Sequence, residues 1–184
     1  MTIEIPDKAL MKSLEIVINP PSVKKRTVNE KTLSTVRYLN LNSAGIGNLE
    51  GIQWCKNVEV LYLADNSFQN ISPLLGLEKV RCLDLSMNEN INWELVTKPF
   101  SSVEQLFLRS CQIKNDQILR AFPNIRQVTL FHNELDHINY LYHLKSLEAA
   151  DLLHNPIPVE ELQCFYNQTG IGIMMKLDPA WIMS

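Results

Sequence analysis

Side chains able to do chemistry are few and scattered along this 184-residue chain. His132 and His154 stand 22 residues apart with Asp151 nearby, a set that could approach a divalent metal. Catalytic zinc sites take three protein ligands and an open position, and no third ligand is defined here. These histidines therefore read as surface residues, and no metal is expected. Cys55, Cys82, Cys111 and Cys164 form no CxxC pair and no regular spacing, so reduced thiols are expected rather than a zinc site or a disulfide framework. The chain lacks a Gly-rich phosphate loop, HExxH, GxSxG and the kinase signatures. No catalytic residue, no cofactor and no enzyme activity are expected. What remains has the composition of an interface: Tyr38, Tyr62, Asp84, Phe107, Arg109, Phe131, His132, Asp151, Leu153 and His154. Tyr and Arg are the residue types that dominate binding hot spots. Whether these ten share a surface depends on the elements that carry them.

Apolar residues make up 46% of the chain and charged residues 20%, which places it among folded proteins rather than disordered ones. Seventeen basic against twenty acidic side chains gives 17 − 20 = −3, so no cationic field exists for nucleic acid or anionic lipid. Lys24, Lys25 and Arg26 form one short basic cluster, read as a solvated loop. No stretch of eighteen apolar residues offers a membrane span, and the first twenty residues lack the continuous apolar run of a secretory leader. A cytoplasmic protein that is monomeric when alone is the expectation, with a protein as its partner.

A repeat dominates the sequence. Lines begin at Val36, Val58, Val80, Val103, Ile125 and Leu147, each 22 residues long except the third, which has 23. Their first, fourth and sixth positions are apolar throughout, from Val36, Leu39 and Leu41 to Leu147, Ala150 and Leu152. For a chain of this composition, chance agreement at every such position is on the order of one in a million before any allowance for the choice of frame. The ninth position reads Ala44, Asn66, Asn88, Cys111, Asn133, Asn155. Apolar residues recur every third place later in the line, as in Ile71, Leu74 and Leu77, which suits 3₁₀ turns.

These lines resemble the leucine-rich repeat, LxxLxLxxNxI, over residues 36 to 157. The 22-residue length resembles the subclass seen in phosphatase-regulator, dynein-light-chain, spliceosomal and internalin-type proteins. The resemblance implies an α/β fold, a right-handed solenoid with a parallel sheet on its concave face and short 3₁₀ or helical turns on its convex face. Residues 1–35 would cap the first line, with Leu10, Leu14, Ile16 and Ile18 covering it and Leu33 in the repeat's phase. Residues 158–184 would cap the last, with Val159, Leu162 and Phe165 on a helix, a stop at Gly170, a strand within Ile171 to Leu177, and Met174, Met175 and Trp181 packing there. Departures from the pattern are Ala44 and Cys111 at the asparagine position, Asp116 at the apolar fourteenth, and an insertion between Glu89 and Trp93. The irregular segment from Glu89 to Pro99 reads either as a contact loop or as a place where Trp93 fills the convex core.

Strand alternation turns positions four and six inward and three, five, seven and eight outward. The ten interface-type residues all fall on those outward positions. Phe107 and Phe131 are the expected anchors, and their alternative role is to stack on each other and stiffen the sheet. The second position alternates in sign without a break, Arg37, Glu59, Arg81, Glu104, Arg126, Glu148, and reads as a charge ladder between neighbouring lines. The function expected is non-catalytic protein binding through the concave face, as an adaptor or as a regulatory or assembly subunit. The alternatives are an exported bacterial adhesin or effector and, more remotely, a metal-dependent enzyme.

Overall fold

The computed structural model describes residues 3–22 and 24–174. Helix α1 (Lys8–Ile18) and the short α2 (Glu30–Leu33) precede six strands: β1 (Tyr38–Asn40), β2 (Val60–Tyr62), β3 (Cys82–Asp84), β4 (Gln105–Phe107), β5 (Gln127–Thr129) and β6 (Ala149–Asp151). Helix α3 (Val159–Thr169) and strand β7 (Gly172–Met174) follow. All seven strands lie parallel in sequence order in one open sheet.

The repeat and the register coincide. Leu39, Leu61, Leu83, Leu106, Val128 and Ala150 face one another strand by strand, and none is more than 3% exposed. Backbone pairing runs beyond the three-residue strands. The N–H of each sixth position donates to the fifth carbonyl of the next line, as Leu41 does to Tyr62 at 2.8 Å, and the eighth donates to the seventh, as Ser110 does to Phe131 at 3.0 Å. Five 3₁₀ turns, Ile52–Trp54, Ser72–Gly76, Trp93–Leu95, Asp116–Ala121 and Leu141–His143, close the opposite side. Trp93 is half-buried, edge-on to Phe122 at 6.2 Å, while Phe100 and Phe122 stack at 5.0 Å.

Asp7 ties α1 to the first line: Oδ1 accepts from Leu10 N, and Oδ2 accepts from Gly47 N and Asn48 N, each at 2.9 Å. Burial raises this carboxyl, but the converging backbone N–H groups outweigh it and hold the group below its ordinary range. Gly51 has φ +103°, and a Cβ there would lie 2.6 Å from Ile5 Cγ1, so the N-terminal segment crosses where only glycine fits.

Several expectations need correction. Leu10, Leu14 and Ile18 are buried, but Ile16 is 64% exposed. Two residues away from the buried stripe is about 200° around a helix, the opposite face. Val159, Leu162 and Phe165 do lie on one helix, α3, with Leu162 and Phe165 buried and Val159, at its start, 54% exposed. The second-position charges form three separate pairs, Arg37–Glu59, Arg81–Glu104 and Arg126–Glu148, rather than a continuous ladder. Each Arg turns to the following line's Glu and leaves the preceding line's Glu beyond salt-bridge distance. Asp116 is buried at an apolar position because it accepts from Tyr140 N at 2.5 Å and Leu141 N at 3.1 Å in the next line. Gly170 ends α3 with φ +66°. Met175, Trp181 and any strand continuation to Leu177 lie outside the described residues, as does the Met174 side chain.

Candidate protein-binding face

Each line turns off the sheet at its eighth position through a left-handed residue: Ser43, Asp65, Met87, Ser110, His132 and His154, with φ between 52° and 59°. None is glycine, so each corner carries a strain of about 1–2 kcal/mol that its surroundings must offset. The ninth-position asparagines do this. Asn88 Nδ2 lies 3.0 Å from the carbonyl oxygens of Leu63, Leu85 and Ser86, and Asn133 Nδ2 lies 2.7 and 2.9 Å from those of Leu108 and Leu130. Their Oδ1 atoms accept backbone N–H groups of the preceding line: Asn66 N at 3.2 Å for Asn88, and Cys111 N and Ile113 N at 2.9 and 3.1 Å for Asn133. Cys111 occupies the same slot, its Sγ 3.4 and 3.3 Å from the carbonyls of Leu85 and Arg109. Among the described residues no buried side-chain polar atom lacks a partner.

With the corners held, the sheet's outer face divides into three parts. At the first lines Tyr38, 55% exposed, meets Tyr62 edge-on at 5.7 Å. Further along, Phe107 is half-buried and Arg109 exposed. At the last lines Phe131 meets His154 edge-on at 4.9 Å, with His132 6.2 Å from Phe131 and 6.5 Å from His154, and half-buried Leu153 between them in sequence. Phe107 and Phe131 do not stack on each other: they stand at the fifth and seventh positions, one pleat apart, and Phe131 takes His154 as its partner instead.

The acids behave differently from the expectation. Asp151 is 7% exposed, and its Oδ1 accepts from Leu153 N at 3.2 Å; Asp84 Oδ1 accepts from Ser86 N at 2.9 Å. Both close local turns, the structural habit of Asx residues, and neither stands free on the face. His132 takes Ser110 as its neighbour, Oγ to Nδ1 at 3.1 Å. No group of three His, Cys, Asp or Glu side chains converges among the described residues. Burial pushes the thiols of Cys55 and Cys111 up to about 12 and about 11, leaving both un-ionised near neutrality.

Sequence reasoning missed two features of this face. Asn42 Oδ1 accepts from Ala64 N at 2.8 Å and Ser86 Oγ accepts from Arg109 N at 3.1 Å, so two seventh-position side chains serve the backbone of the next line. Gln105 Nε2 donates to Gln127 Oε1 at 3.2 Å across β4 and β5. An Asn or Ser two places past a strand residue is the available signal for the first; a Gln at the third position of two consecutive lines is the signal for the second.

A sheet of in-register lines, corners pinned by an asparagine ladder and 3₁₀ turns behind defines a leucine-rich repeat protein, and the chain has that fold. Solved structures agree. Internalin C2 of Listeria monocytogenes superposes with a TM-score of 0.60 at 23% identity, over 93% of this chain and 94% of that one. Internalin F of the same organism gives 0.52 at 17% identity, over 96% of this chain, which spans 65% of it. A leucine-rich repeat protein of Leptospira interrogans gives 0.55 at 18% identity, over 69% of this chain and 33% of its own length. No protein-family model matches the sequence, and no curated protein sequence matches it. No helix among the described residues is long and apolar enough to cross a membrane.

Proposed function

We propose that the chain is a non-catalytic protein-interaction module whose concave sheet face binds a protein partner, as an adaptor or as a regulatory or assembly subunit. The observation that carries this reading is the set of aromatic rings left on that face, Tyr38, Tyr62, Phe107 and Phe131, beside an exposed Arg109. The inward positions already fill the spine, so the outward rings are not needed for the core. Six strand spacings of about 4.8 Å make the face about 29 Å wide, enough for a protein interface of ordinary size. The four cysteines, none in a disulfide, support placing this activity in the reducing cytoplasm.

Phe107→Ala combined with Phe131→Ala tests the reading. The double variant is expected to lose the partners that the wild-type protein isolates from its native cell, identified by mass spectrometry. Its circular dichroism should stay unchanged and its melting temperature fall by no more than about 12 °C, since two half-buried rings together contribute about 2–3 kcal/mol. Undiminished capture would move the site off this face.

A further inference from the structure

We infer that the concave face takes its partner as an amphipathic helix bearing a carboxylate beside its apolar stripe, and that Arg109 pairs with that carboxylate; this rests on the proposed binding face. Three observations converge. The first concerns backbone groups. Along the strands, and at the sixth and eighth positions, the backbone N–H groups bond carbonyls of neighbouring lines, while at the seventh most are taken by Asn, Asp or Ser side chains. An extended segment laid on such a face would find no ladder to join, and its own backbone groups would be shielded from water without partners. A helix satisfies its backbone internally.

The second is spacing. Helical turns repeat every 5.4 Å and strands about every 4.8 Å, so an apolar stripe running across the strands meets one line per turn. Tyr62, Phe107, Phe131 and Leu153 stand on the second, fourth, fifth and sixth lines, half-buried and open to contact. Four line spacings are about 19 Å, the length of about 13 helical residues.

The third is charge. Arg37, Arg81 and Arg126 are each paired with a glutamate of the next line. Asp84 and Asp151 are turned to backbone N–H groups. Arg109 is exposed two residues after Phe107 on the same line, at the position Phe131 takes on the next, and has no carboxylate within salt-bridge distance among the described residues. An exposed cation beside aromatic rings, left without a carboxylate of its own, selects an acid on the incoming surface, and a guanidinium can grip it with two hydrogen bonds.

The test is selection of an unbiased display library of random 20-residue peptides on the immobilised full-length protein. Enriched peptides should carry apolar residues at i, i+3 or i+4, and i+7, with an Asp or Glu flanking the stripe. Synthesised, they should gain helical circular dichroism on binding. Arg109→Glu should weaken them at least tenfold, and exchanging the peptide acid for Lys should restore binding to that variant. Enriched peptides with period-two spacing, or indifferent to Arg109→Glu, overturn the inference, as does a selection that enriches nothing. Peptides that lack helical spacing yet are lost on Phe107→Ala with Phe131→Ala refute the helix and leave the binding face standing. Peptides indifferent to both alanines refute the two together.

Discussion

Replacing Asn88 by alanine removes one rung of the asparagine ladder, and the structure sets the size of the effect. The side chain is 2% exposed, so water cannot take over its bonds. Its Nδ2 stands 3.0 Å from three carbonyl oxygens, and its two N–H groups supply two bonds' worth of donation among them. Its Oδ1 accepts a third bond, from Asn66 N. At a net 0.5–1.5 kcal/mol each, three bonds amount to about 1.5–4.5 kcal/mol. Line four shows what a partial substitute does: Cys111 reaches two carbonyls with one weak S–H donor. Asn88→Cys should therefore fall between wild type and alanine. Urea unfolding, followed by far-UV circular dichroism and by tryptophan fluorescence, measures both variants; agreement of the two probes licenses a single free energy even in a repeat array. A loss below 0.5 kcal/mol for Asn88→Ala, or a cysteine variant no better than alanine, would refute the account of how the corners are held.

Four further outcomes follow from individual contacts. Arg81→Glu should destabilise the array by about 1 kcal/mol in urea unfolding at low salt, with the difference gone at 1 M salt, because it breaks the exposed pair with Glu104 and sets a third acid beside Glu59 and Glu104. Asp116→Leu restores the repeat's apolar residue but strips Tyr140 N and Leu141 N of their acceptor, and should cost about 1–3 kcal/mol per group. Asp116→Asn keeps an acceptor, and it should gain on wild type as pH rises, since burial raises the Asp116 carboxyl and makes its ionisation unfavourable in the fold. The hydrogen bond to Glu161 raises His137, so that pair's contribution is complete below the unfolded histidine pKa and lost as pH rises through the higher folded value. The melting temperature of wild type relative to His137→Gln should therefore decline across that window; a constant difference would exclude the pair.

The solenoid was legible because its signal is redundant: six lines repeat three apolar positions in phase, and an error in any one line is outvoted by the rest. The site was legible only as far as strand alternation reaches. It placed Tyr62, Phe107, Arg109 and Phe131 outward, but said nothing about what a polar side chain does once there. Asp151 and Asp84 bend back onto N–H groups two residues on, a choice made by local turn geometry rather than period. The eighth position escaped for a similar reason. Left-handed corners are usually read from glycine, whereas here Met87, His132 and their equivalents adopt that conformation under the hold of the asparagine ladder. Ile16 and Asp116 show the limits of residue type: one apolar side chain faces water, and one carboxylate serves as the buried acceptor of the next line's turn.

An asymmetry along the array bears on how binding energy would be distributed. At the seventh position the first three lines carry Asn42, Ala64 and Ser86, two of which are committed to backbone N–H groups of the next line and one of which is a methyl. The last three carry Arg109, Phe131 and Leu153, whose side chains make no such bond and remain available. The early half of the face is thus spent on its own rigidity and the late half is left for contact. Because Ser86 accepts the N–H of Arg109, rigidity built in line three is passed to the first contact residue of line four. A surface held in place before binding loses little conformational freedom on association. Side chains of the fourth to sixth lines should accordingly dominate any interface made here, with the Tyr38–Tyr62 pair setting orientation at the far end.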